Sequence, residues 1–462
     1  MTWYEDEFAG ISLKDCRRTR RFLKVVAAWW THLGPSIASL CQGWTEQMGA
    51  YRLFKCVYVT LAAVLAPHRR MTITRVQGES VALVLQDTSE VVYEGKPIAR
   101  TPGEVGPLNS ERRVGVFAHI QYVVTPDHRP LGVLDLSPWK RKRLEHKTQT
   151  RAHKQQPFEE KESYRWFLGY RTACALARLA PQTKIVSIAD REGDIYEILL
   201  AAASARGRAD YVIRSNQNRA CLPAKGERAQ SLRMQLALAP PRASGVVQVP
   251  EGPGRAARTA QVVLRAVTLR LRPPARPDRR LPCVVVHVVQ VREVAPPAGV
   301  EPLEWILLTS LPITTIDEVT TIVRYYACRW EIEIFFRLWK SGCHVEEFQC
   351  HTWARLAPVM ALCAVFAWRL HYLTRLGQTA PDTLCTPYFN EAEWKVIALL
   401  ATQEVPKIPP TVREVLWWVA KLGGFAGRRA DREPGPLVLM RGWLRVQEAI
   451  RLYELLPTAV LS

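Results

Sequence analysis

The hydrophobic pattern changes its period along this chain, and the first part has the period of helices. From about Lys14 to Pro67, apolar residues and several tryptophans recur at helical spacing, next to the basic clusters Arg17–Arg21 and His68–Arg70. A 3.6-residue period with cations on the polar side is typical of amphipathic helices. Residues 1–75 are therefore predicted to form a basic helical domain.

From residue 76 the pattern is that of strands. The apolar run "VALVLQD" ends on Asp87, and two further strands flank the turn-rich segment Thr125–Pro130, which predicts a hairpin. After a helix, "KIVSIAD" ends on Asp190, "DYVIRS" contains Arg214, and "WILLTS" begins at Trp305. The order β-β-β-α-β-α-β-α is that of a ribonuclease-H-like fold, in which the ends of the first and fourth strands lie side by side.

Two other regions depart from this alternation. Residues 216–302 are rich in Pro and Gly and contain strand patterns such as "VTLRLR", which predicts a β-subdomain inserted into a catalytic core of residues 76–376. Residues 377–462 return to a helical pattern with Trp and Leu on amphipathic helices. Such helices are found on partner surfaces and also in ordinary cores. We expect an α/β protein with helical N- and C-terminal domains.

The stretch "YYACRWEIEIFFRLWKSG" predicts one helix with a narrow polar stripe. At about 100° per residue, five residues fall within roughly 80° of one another: Tyr326, Arg329, Glu333, Arg337 and Lys340. A solvated face of salt bridges would have the same pattern. The choice between a surface and a site therefore depends on partner acids elsewhere in the chain.

Charge indicates the kind of partner. The 462 residues include 63 Lys and Arg against 43 Asp and Glu, a net charge of +20, which favours nucleic acid or an acidic membrane surface. The longest apolar run, Leu356–Trp368, is shorter than the ~20 residues of a spanning helix, and the N-terminus lacks the pattern of a secretory signal. We expect no membrane partner and a cytoplasmic, nucleoid-associated location. The segment Trp139–Lys154 and the cluster Arg17–Arg21 are candidate DNA contacts from charge alone.

The cysteines do not predict a disulfide framework or a metal site. Eleven cysteines without a CxxC pair suit a reducing compartment. The pairs Cys343-His344 and Cys350-His351 would lie on one side of a helix, but their seven-residue separation differs from that of zinc sites. We predict structural roles for these four residues.

Three acids have positions that suggest chemistry: Asp87, Asp190 and Glu333. Carboxylates that converge repel one another unless cations lie between them. Mg²⁺ prefers oxygen ligands, with Mn²⁺ as the alternative ion, and two such ions about 3.5–4 Å apart can activate a water or a 3′-hydroxyl and stabilise the leaving oxygen of a phosphodiester. The cations on the polar stripe would then hold the phosphates of the reacting strand.

The same residues resemble a known family. Tyr325–Gly342 is similar to the Y-(2)-R-(3)-E-(6)-K motif of bacterial DDE transposases of the insertion-sequence-four family, and "LQDTSEVVYEG" and "IADREGDIYEIL" resemble that family's first and second Asp blocks. The likeness continues in "GAYRLF", "EKESYRW", "KLGGFAG" and "RGW". It therefore covers nearly the whole chain.

The resemblance implies a cut-and-paste transposase. Such an enzyme binds transposon ends as a homodimer in a synaptic complex, cleaves through a hairpin intermediate and joins the ends to double-stranded target DNA. The implied metal ligands are Asp87, Asp190 and Glu333, and the residues implied to contact DNA are Arg214, Trp305, Tyr326, Arg329, Trp330, Arg337 and Lys340. Among these, the resemblance gives the tryptophan at the start of "WILLTS" the role of stacking on a flipped base; a core aromatic is the alternative.

Two other functions are compatible with the residues. A ribonuclease-H-like nuclease without strand transfer would need the same acids but neither the Tyr-Arg-Lys contacts nor the stacking tryptophan. A catalytically inactive, transposase-derived DNA-binding protein would keep its function when Asp190 is replaced, whereas strand cleavage would be lost in either enzyme.

Overall fold

The computed structural model divides the chain into two compact units. The first comprises Met1–Arg75, Thr88–Arg143 and Glu331–Ser462, and the second comprises Val76–Asp87 and Leu144–Trp330. The residues that the structure describes are 2–31, 34, 36–38, 43–110, 112–141, 156–204, 209–222, 230–249, 256–276, 280–428 and 433–455. Most of the predicted basic segment Trp139–Lys154 lies outside these residues.

In the described chain, helices come first and last, and the strands lie between them with three further helices. The helices are α1 Trp3–Glu7, α2 Cys16–Thr31, α3 Trp44–Phe54, α4 Leu61–Gln77, α5 Tyr164–Leu179, α6 Tyr196–Ser204, α7 Leu232–Leu238, α8 Ile316–Ala327, α9 Trp330–Arg337, α10 Trp353–Thr379, α11 Glu391–Thr402, α12 Val412–Leu422 and α13 Pro436–Leu455. The strands are β1 Val81–Val92, β2 Gly106–Pro107, β3 Val114–Val124, β4 Pro130–Trp139, β5 Lys184–Ala189, β6 Asp210–Arg214, β7 Ala220–Cys221, β8 Gln230–Ser231, β9 Pro241–Val249, β10 Arg258–Leu271, β11 Val284–Glu293 and β12 Glu304–Thr309. Short 3₁₀ turns cover Pro97–Arg100, Phe158–Glu160 and Arg191–Gly193, and a π-helix covers Leu338–Gly342.

Several helices begin where the sequence supplies a reciprocal cap. The side chain of Thr315 accepts a hydrogen bond from the Glu318 amide, and the Glu318 carboxylate accepts one from the Thr315 amide, which begins α8. The pair Asn390 and Glu393 begins α11 in the same way. Each cap satisfies two amides that the first turn would otherwise leave without a partner.

The first unit contains the predicted hairpin. Strands β3 and β4 pair antiparallel from Phe117 opposite Trp139 to Val124 opposite Pro130, with β2 and the second part of β1 also next to β3. The turn between β3 and β4 holds His128 at φ +69°, a left-handed conformation that Asn, Asp and His adopt more readily than other non-glycine residues.

The core of the first unit is built around α10. Among the described residues, this is the one helix long and apolar enough to cross a membrane, and 94% of its most apolar window is buried inside the protein. The indole of Trp368 on this helix donates to the Pro130 carbonyl, and the indole of Trp339 donates to the Met360 carbonyl. A helix that is apolar on all sides is expected where protein surrounds it.

The second unit contains a mixed sheet. The first part of β1 pairs parallel with β5, which pairs parallel with β6; β12, β11 and β10 then follow antiparallel, with β9 paired to β10. The strands between β6 and β12 correspond to the β-rich segment expected over residues 216–302. The protein as a whole is therefore a mixed α/β protein with many helices.

Two local predictions were wrong. Strand β1 does not end at Asp87 but continues to Val92, beyond the residues that pair with β5, because β3 is its neighbour on the other side. The stretch from Tyr325 to Gly342 is not one helix either. It is interrupted at Cys328–Arg329, where the Arg329 amide bonds to the Tyr326 carbonyl three residues back, and it ends in the π-helix. The 100° projection therefore holds only within each helical segment.

Candidate functional site

Three predicted site residues lie at one edge of the second unit's parallel strands. In the paired register, Gln86 of β1 is opposite Ala189 of β5, which is opposite Ile213 of β6. Asp87, Asp190 and Arg214 are the residues that follow these three along the chain. Because the carboxyl ends of parallel strands meet at the same edge of a sheet, these side chains emerge next to one another.

A cation from the interrupted helical stretch reaches this edge. The Arg329 guanidinium Nη1 lies 3.4 Å from Asp87 Oδ2, and the side chains of Arg329 and Asp87 are 17% and 19% exposed. The Arg329–Asp87 ion pair is therefore partly shielded from water, but water still reaches both side chains. A cation at this distance stabilises the ionised form of a carboxylate.

Arg214 is also tied to residues of the motif. Its guanidinium donates to the hydroxyl of Tyr326 and, over 2.9 Å, to the Glu304 carbonyl. The ring of Trp305 meets the ring of Tyr326 edge to face, with centroids 5.0 Å apart. Burial raises the pKa of the Tyr326 hydroxyl, against the opposing effect of Arg329 and Arg214, so this phenol stays protonated at neutral pH.

We call Asp87, Asp190, Arg214, Tyr326 and Arg329 the strand-end cluster. Asp190 is half-buried and accepts a hydrogen bond from the Glu192 amide, which begins the 3₁₀ turn after β5. Asp190 also acts electrostatically on the Tyr326 hydroxyl. The structure thus brings together five of the residues that the sequence singled out, from β1, β5, β6 and the stretch after α8.

A second acid of the "DREGD" turn has a structural role. Asp194 is 4% exposed, and its carboxylate accepts hydrogen bonds from the amides of Asn216 and Gln217 at 2.9 and 3.0 Å and from the guanidinium of Arg219. These contacts fix the chain where it leaves β6. The carboxylate is therefore occupied by protein donors.

The remaining motif residues lie in the first unit. Glu333 is half-buried on α9, Arg337 is exposed at the end of that helix, and Lys340 is half-buried in the π-helix. The Lys340 ammonium lies 3.8 Å from a carboxylate oxygen of Glu346, which also accepts the Val92 amide at 2.9 Å. Burial lowers the pKa of the Lys340 ammonium, and Glu346 opposes that shift. No periodic pattern in the sequence pointed to Glu346, which lies in a turn after the π-helix.

Trp330 and the two cysteine-histidine pairs lie close to the motif in the sequence. Trp330 is half-buried at the start of α9. Cys343 and Cys350 are buried, and burial raises the pKa of the Cys350 thiol to about 11, which disfavours the thiolate that zinc requires. His344 is bonded to Glu347. In the described part of the chain, no three Asp, Glu, His or Cys side chains are grouped as ligands of a metal ion.

The donor chemistry of the proposed ligands fits a hard cation. Asp87, Asp190 and Glu333 offer only carboxylate oxygens, and each is partly accessible to water. Mg²⁺ and Mn²⁺ take such ligands and keep several waters, so partial exposure suits them. The arginines beside Asp87 and Asp190 supply donors for phosphate oxygens in the same place.

Comparisons with known proteins point to one family. Residues 1–59 match the model of a transposase DNA-binding domain, residues 118–368 that of a transposase DDE domain, and residues 365–455 that of the Tn5 transposase dimerisation domain. Asp190 and Glu333 lie inside the DDE match, whereas Asp87 lies before its first residue. These matches confirm the resemblance to DDE transposases.

A solved structure also covers the chain. A piggyBac transposase synaptic complex with hairpin DNA is 10% identical, covers 98% of this chain and 78% of its own, and superposes with a TM-score of 0.38, which is too low to support an argument about fold. The DDE model, by contrast, spans more than half of the chain. DDE domains cleave and join DNA strands with divalent metal ions. The chain belongs to the DDE transposases.

Proposed function

We propose that Asp87, Asp190 and Glu333 hold the metal ions of this transposase, and that its core is ribonuclease-H-like. The observation that carries the proposal is the register of the parallel strands, which leaves Asp87 and Asp190 as successive carboxylates at one edge. Glu333 is the acid of the Y-R-E-K motif and the half-buried acid of α9. Mg²⁺ is the proposed ion, with Mn²⁺ as a substitute.

The chemistry of the bound metal is that of two-ion phosphodiester cleavage, in which a water or a 3′-hydroxyl is activated and the leaving oxygen is stabilised. The protein's own part is positioning and charge. The backbones of β1 and β5 are paired as far as Gln86 and Ala189, the residues just before Asp87 and Asp190. The sheet therefore sets the distance between the two aspartates. Arg329 contributes a positive charge 3.4 Å from Asp87 and donors for a phosphate oxygen.

The remaining motif residues are proposed to hold the DNA strand. Arg214 and Arg329 border the acids, and Arg337 and Lys340 carry cations on the segment that includes Glu333. Trp305 presents a half-buried indole beside Tyr326, which supports a role in stacking on an extruded base. Trp330 adjoins Arg329 in sequence and is proposed to support that stacking.

The domain boundaries are proposed to be 1–75 for binding of transposon ends, 76–376 for catalysis with residues 216–302 as an inserted β-subdomain, and 377–462 for dimerisation. The family matches to DNA-binding and dimerisation domains support a homodimer that binds DNA ends. A hairpin intermediate, joining to target DNA in a synaptic complex, and a cytoplasmic, nucleoid-associated location complete the proposal.

The test uses labelled DNA from either side of this protein's own gene. The full-length protein is incubated with it in Mg²⁺, Mn²⁺ or EDTA, beside Asp190→Asn and a control, Asp210→Asn. Asp210 is at the opposite, amino end of β6, where it lies 4.0 Å from Lys184, so its loss should leave the strand-end cluster intact. Metal-dependent nicks, hairpins and joined products that persist in the control but disappear in Asp190→Asn are expected.

Other outcomes would reject parts of the proposal. Nicking without hairpins or joined products would favour a nuclease that cannot transfer strands. Specific binding of the ends without cleavage by the unaltered protein would favour a binding protein derived from a transposase. Cleavage by Asp190→Asn at the rate of the unaltered protein would remove Asp190 from the metal ligands.

A further inference from the structure

Helix α9 is short and bounded on both sides by other backbone geometries. It spans Trp330–Arg337, between the turn at Cys328–Arg329 and the π-helix Leu338–Gly342. Departures from α-helical geometry inside a longer helical stretch commonly mark functional segments. Because no continuous α-helix extends through these boundaries, the orientation of α9 depends on the contacts of its own side chains.

One of those side chains is a carboxylate with a complete set of donors. Glu331 is 2% exposed, and its oxygens accept hydrogen bonds from His371 Nε2, His128 Nδ1 and Arg375 Nε, each at 2.9 Å, and from Arg375 Nη2. We call these four residues the Glu331 cluster. All of them belong to the first unit.

The cluster joins α9 to two separate elements. His371 and Arg375 are on α10, and His128 is on the turn between β3 and β4. The His371 ring is fixed in turn by Tyr122 of β3, whose hydroxyl lies 3.0 Å from Nδ1. The ring of Tyr122 also lies 4.6 Å from the ring of Phe335, so β3 contacts the same buried face of α9.

The turn that supplies His128 is held in an unfavourable backbone conformation. A side chain at φ +69° is uncommon outside glycine and persists where the surroundings fix it. Here the imidazole is directed to the buried carboxylate of Glu331. Four donors on one carboxylate fill nearly all of its acceptor sites.

Glu331 and Glu333 are two positions apart in the sequence, which corresponds to about 200° around a helix. With Glu331 fixed on the buried face, Glu333 is turned to the other side, where it is half-buried. We infer that Glu331 is a positioning residue for strand cleavage, which fixes the first turn of α9 and so the direction of the Glu333 carboxylate. This inference rests on the proposed role of Glu333 as a metal ligand.

The chain offers a matched control for this inference. Glu7 is also buried in the first unit, at 4% exposure, and also accepts from one histidine, His68, and from both terminal nitrogens of one arginine, Arg75. It lies on α1 and not on the helix of Glu333. Replacing either glutamate by glutamine removes a buried charge from a comparable set of donors.

The test compares Glu331→Gln, Glu7→Gln and Glu333→Gln in the full-length protein. Unfolding by urea, binding of labelled end DNA in EDTA, Mn²⁺ binding to the protein–DNA complex by electron paramagnetic resonance, and the Mn²⁺ dependence of single-turnover cleavage are measured for each. Replacing groups that orient metal ligands usually changes metal affinity or activity by about 10–100-fold. Glu331→Gln is expected to weaken Mn²⁺ binding and raise the Mn²⁺ concentration for half-maximal cleavage by that factor, and Glu7→Gln to change neither.

A variant that removes only one donor keeps the inference testable if Glu331→Gln does not fold. His128 is 41% exposed, and Asn tolerates its left-handed backbone, so His128→Asn should fold while removing one donor to Glu331. It is expected to raise the Mn²⁺ requirement by roughly 3–10-fold, less than the full factor because three of the donors remain. The amide of glutamine can donate to Glu331. A Mn²⁺ requirement in His128→Gln equal to that of the unaltered protein would therefore support positioning through this contact.

The outcomes separate the inference from the proposal beneath it. If Glu333→Gln cleaves normally, the proposed role of Glu333 fails, and the inference fails with it. If Glu333→Gln is inactive but the Glu331 and His128 variants need no more Mn²⁺ than Glu7→Gln, Glu331 is only a stabilising residue and the inference alone is wrong.

Discussion

The acids of this protein occupy two kinds of environment. Asp87 and Asp190, at the strand edge, are half-buried, and their protein contacts leave them accessible to water. Glu7, Asp194 and Glu331 are between 2% and 4% exposed, and each accepts hydrogen bonds from an arginine and at least one further donor. The first pair lies where the parallel pairing of β1 with β5 ends, and the other three lie where elements are joined.

The difference teaches how a structural acid can be told from a metal ligand. An ionised carboxylate has about four acceptor positions, and one that protein donors fill has little capacity left for a cation. Removing such an acid leaves buried donors without partners, which destabilises the fold. Removing an accessible acid mainly removes its chemistry. Changes at the interior acids should therefore affect folding, with Glu331 affecting Mn²⁺ binding as well through Glu333. Changes in the strand-end cluster should affect DNA cleavage.

The largest effect on folding is expected from Asp194→Ala. It leaves the Arg219 guanidinium, 6% exposed, without its carboxylate, and breaking a buried ion pair costs about 3–5 kcal/mol. Unfolding by urea measures the loss. Asp190→Asn, which keeps an acceptor for the Glu192 amide, should change the free energy of unfolding by less than about 1 kcal/mol. Equal midpoints for the two variants would break the distinction between interior and edge acids.

The next effect depends on pH. Burial alone would raise the pKa of the Glu7 carboxyl, but its electrostatic and hydrogen-bond interactions with His68 and Arg75 outweigh burial and lower the pKa to about 2. His68 Nε2 accepts the Val133 amide, so Nδ1 carries the hydrogen and the ring is neutral, in agreement with burial lowering the His68 pKa. Because both pKa values are lower in the folded protein, both groups stabilise it at neutral pH and lose that contribution as pH falls.

Glu7→Gln should remove the part of this dependence due to the carboxylate. Its contribution, about 3 kcal/mol at most from a shift of this size, is complete above about pH 4.5 and disappears as pH falls toward 2. The difference in unfolding free energy between the unaltered protein and Glu7→Gln, measured by urea from pH 7 to pH 3, should therefore shrink with falling pH. A difference that grows on acidification would show the opposite sign and contradict the assignment.

The parts of the fold that sequence could predict are those with local signals. The runs before Asp87 and Asp190 are apolar because protein covers both faces of these strands, and a turn of Pro, Asp and His separates β3 from β4. The rule that parallel strand ends meet at one edge then predicts that the two aspartates are neighbours. Nothing beyond the order of elements was needed for this part of the site.

The parts that sequence could not predict depend on distant residues. The extension of β1 to Val92 needs β3 as its partner. Glu331 appeared as one more charge in an amphipathic pattern, since its partners His128 and Arg375 are 203 and 44 residues away along the chain. Periodicity reports which face a residue occupies, and it does not report what a buried carboxylate will contact there.

Trp305→Ala should give an intermediate effect, and on DNA chemistry instead of folding. If the indole stacks on an extruded base, its loss should weaken the reaction by about 1–3 kcal/mol, or roughly 5–150-fold in hairpin formation, while Trp305→Phe keeps most of the rate. A 2-aminopurine at the position of the extruded base reports stacking by fluorescence. Equal fluorescence in Trp305→Ala and the unaltered protein would make this tryptophan a core aromatic that packs on Tyr326.

The smallest effect is expected from Tyr326→Phe, which tests whether a buried residue can belong to the strand-end cluster. The phenol is 3% exposed, yet its hydroxyl accepts from Arg214, whose guanidinium also donates to the Glu304 carbonyl. Without the hydroxyl, Arg214 loses one of the bonds that direct it, and a hydrogen bond of about 1 kcal/mol corresponds to roughly a fivefold slower cleavage. Tyr325→Phe is the matched control, because Tyr325 is the adjacent buried tyrosine of α8 and its hydroxyl has no contact with Arg214 among those that the structure describes.

Slower cleavage only in Tyr326→Phe, at equal stability of the two variants, would show that a buried residue can belong to the strand-end cluster. Contact with the arginines of the cluster would then decide membership, and burial would not. Equal cleavage rates would return Tyr326 to the interior and confine the strand-end cluster to its charged members.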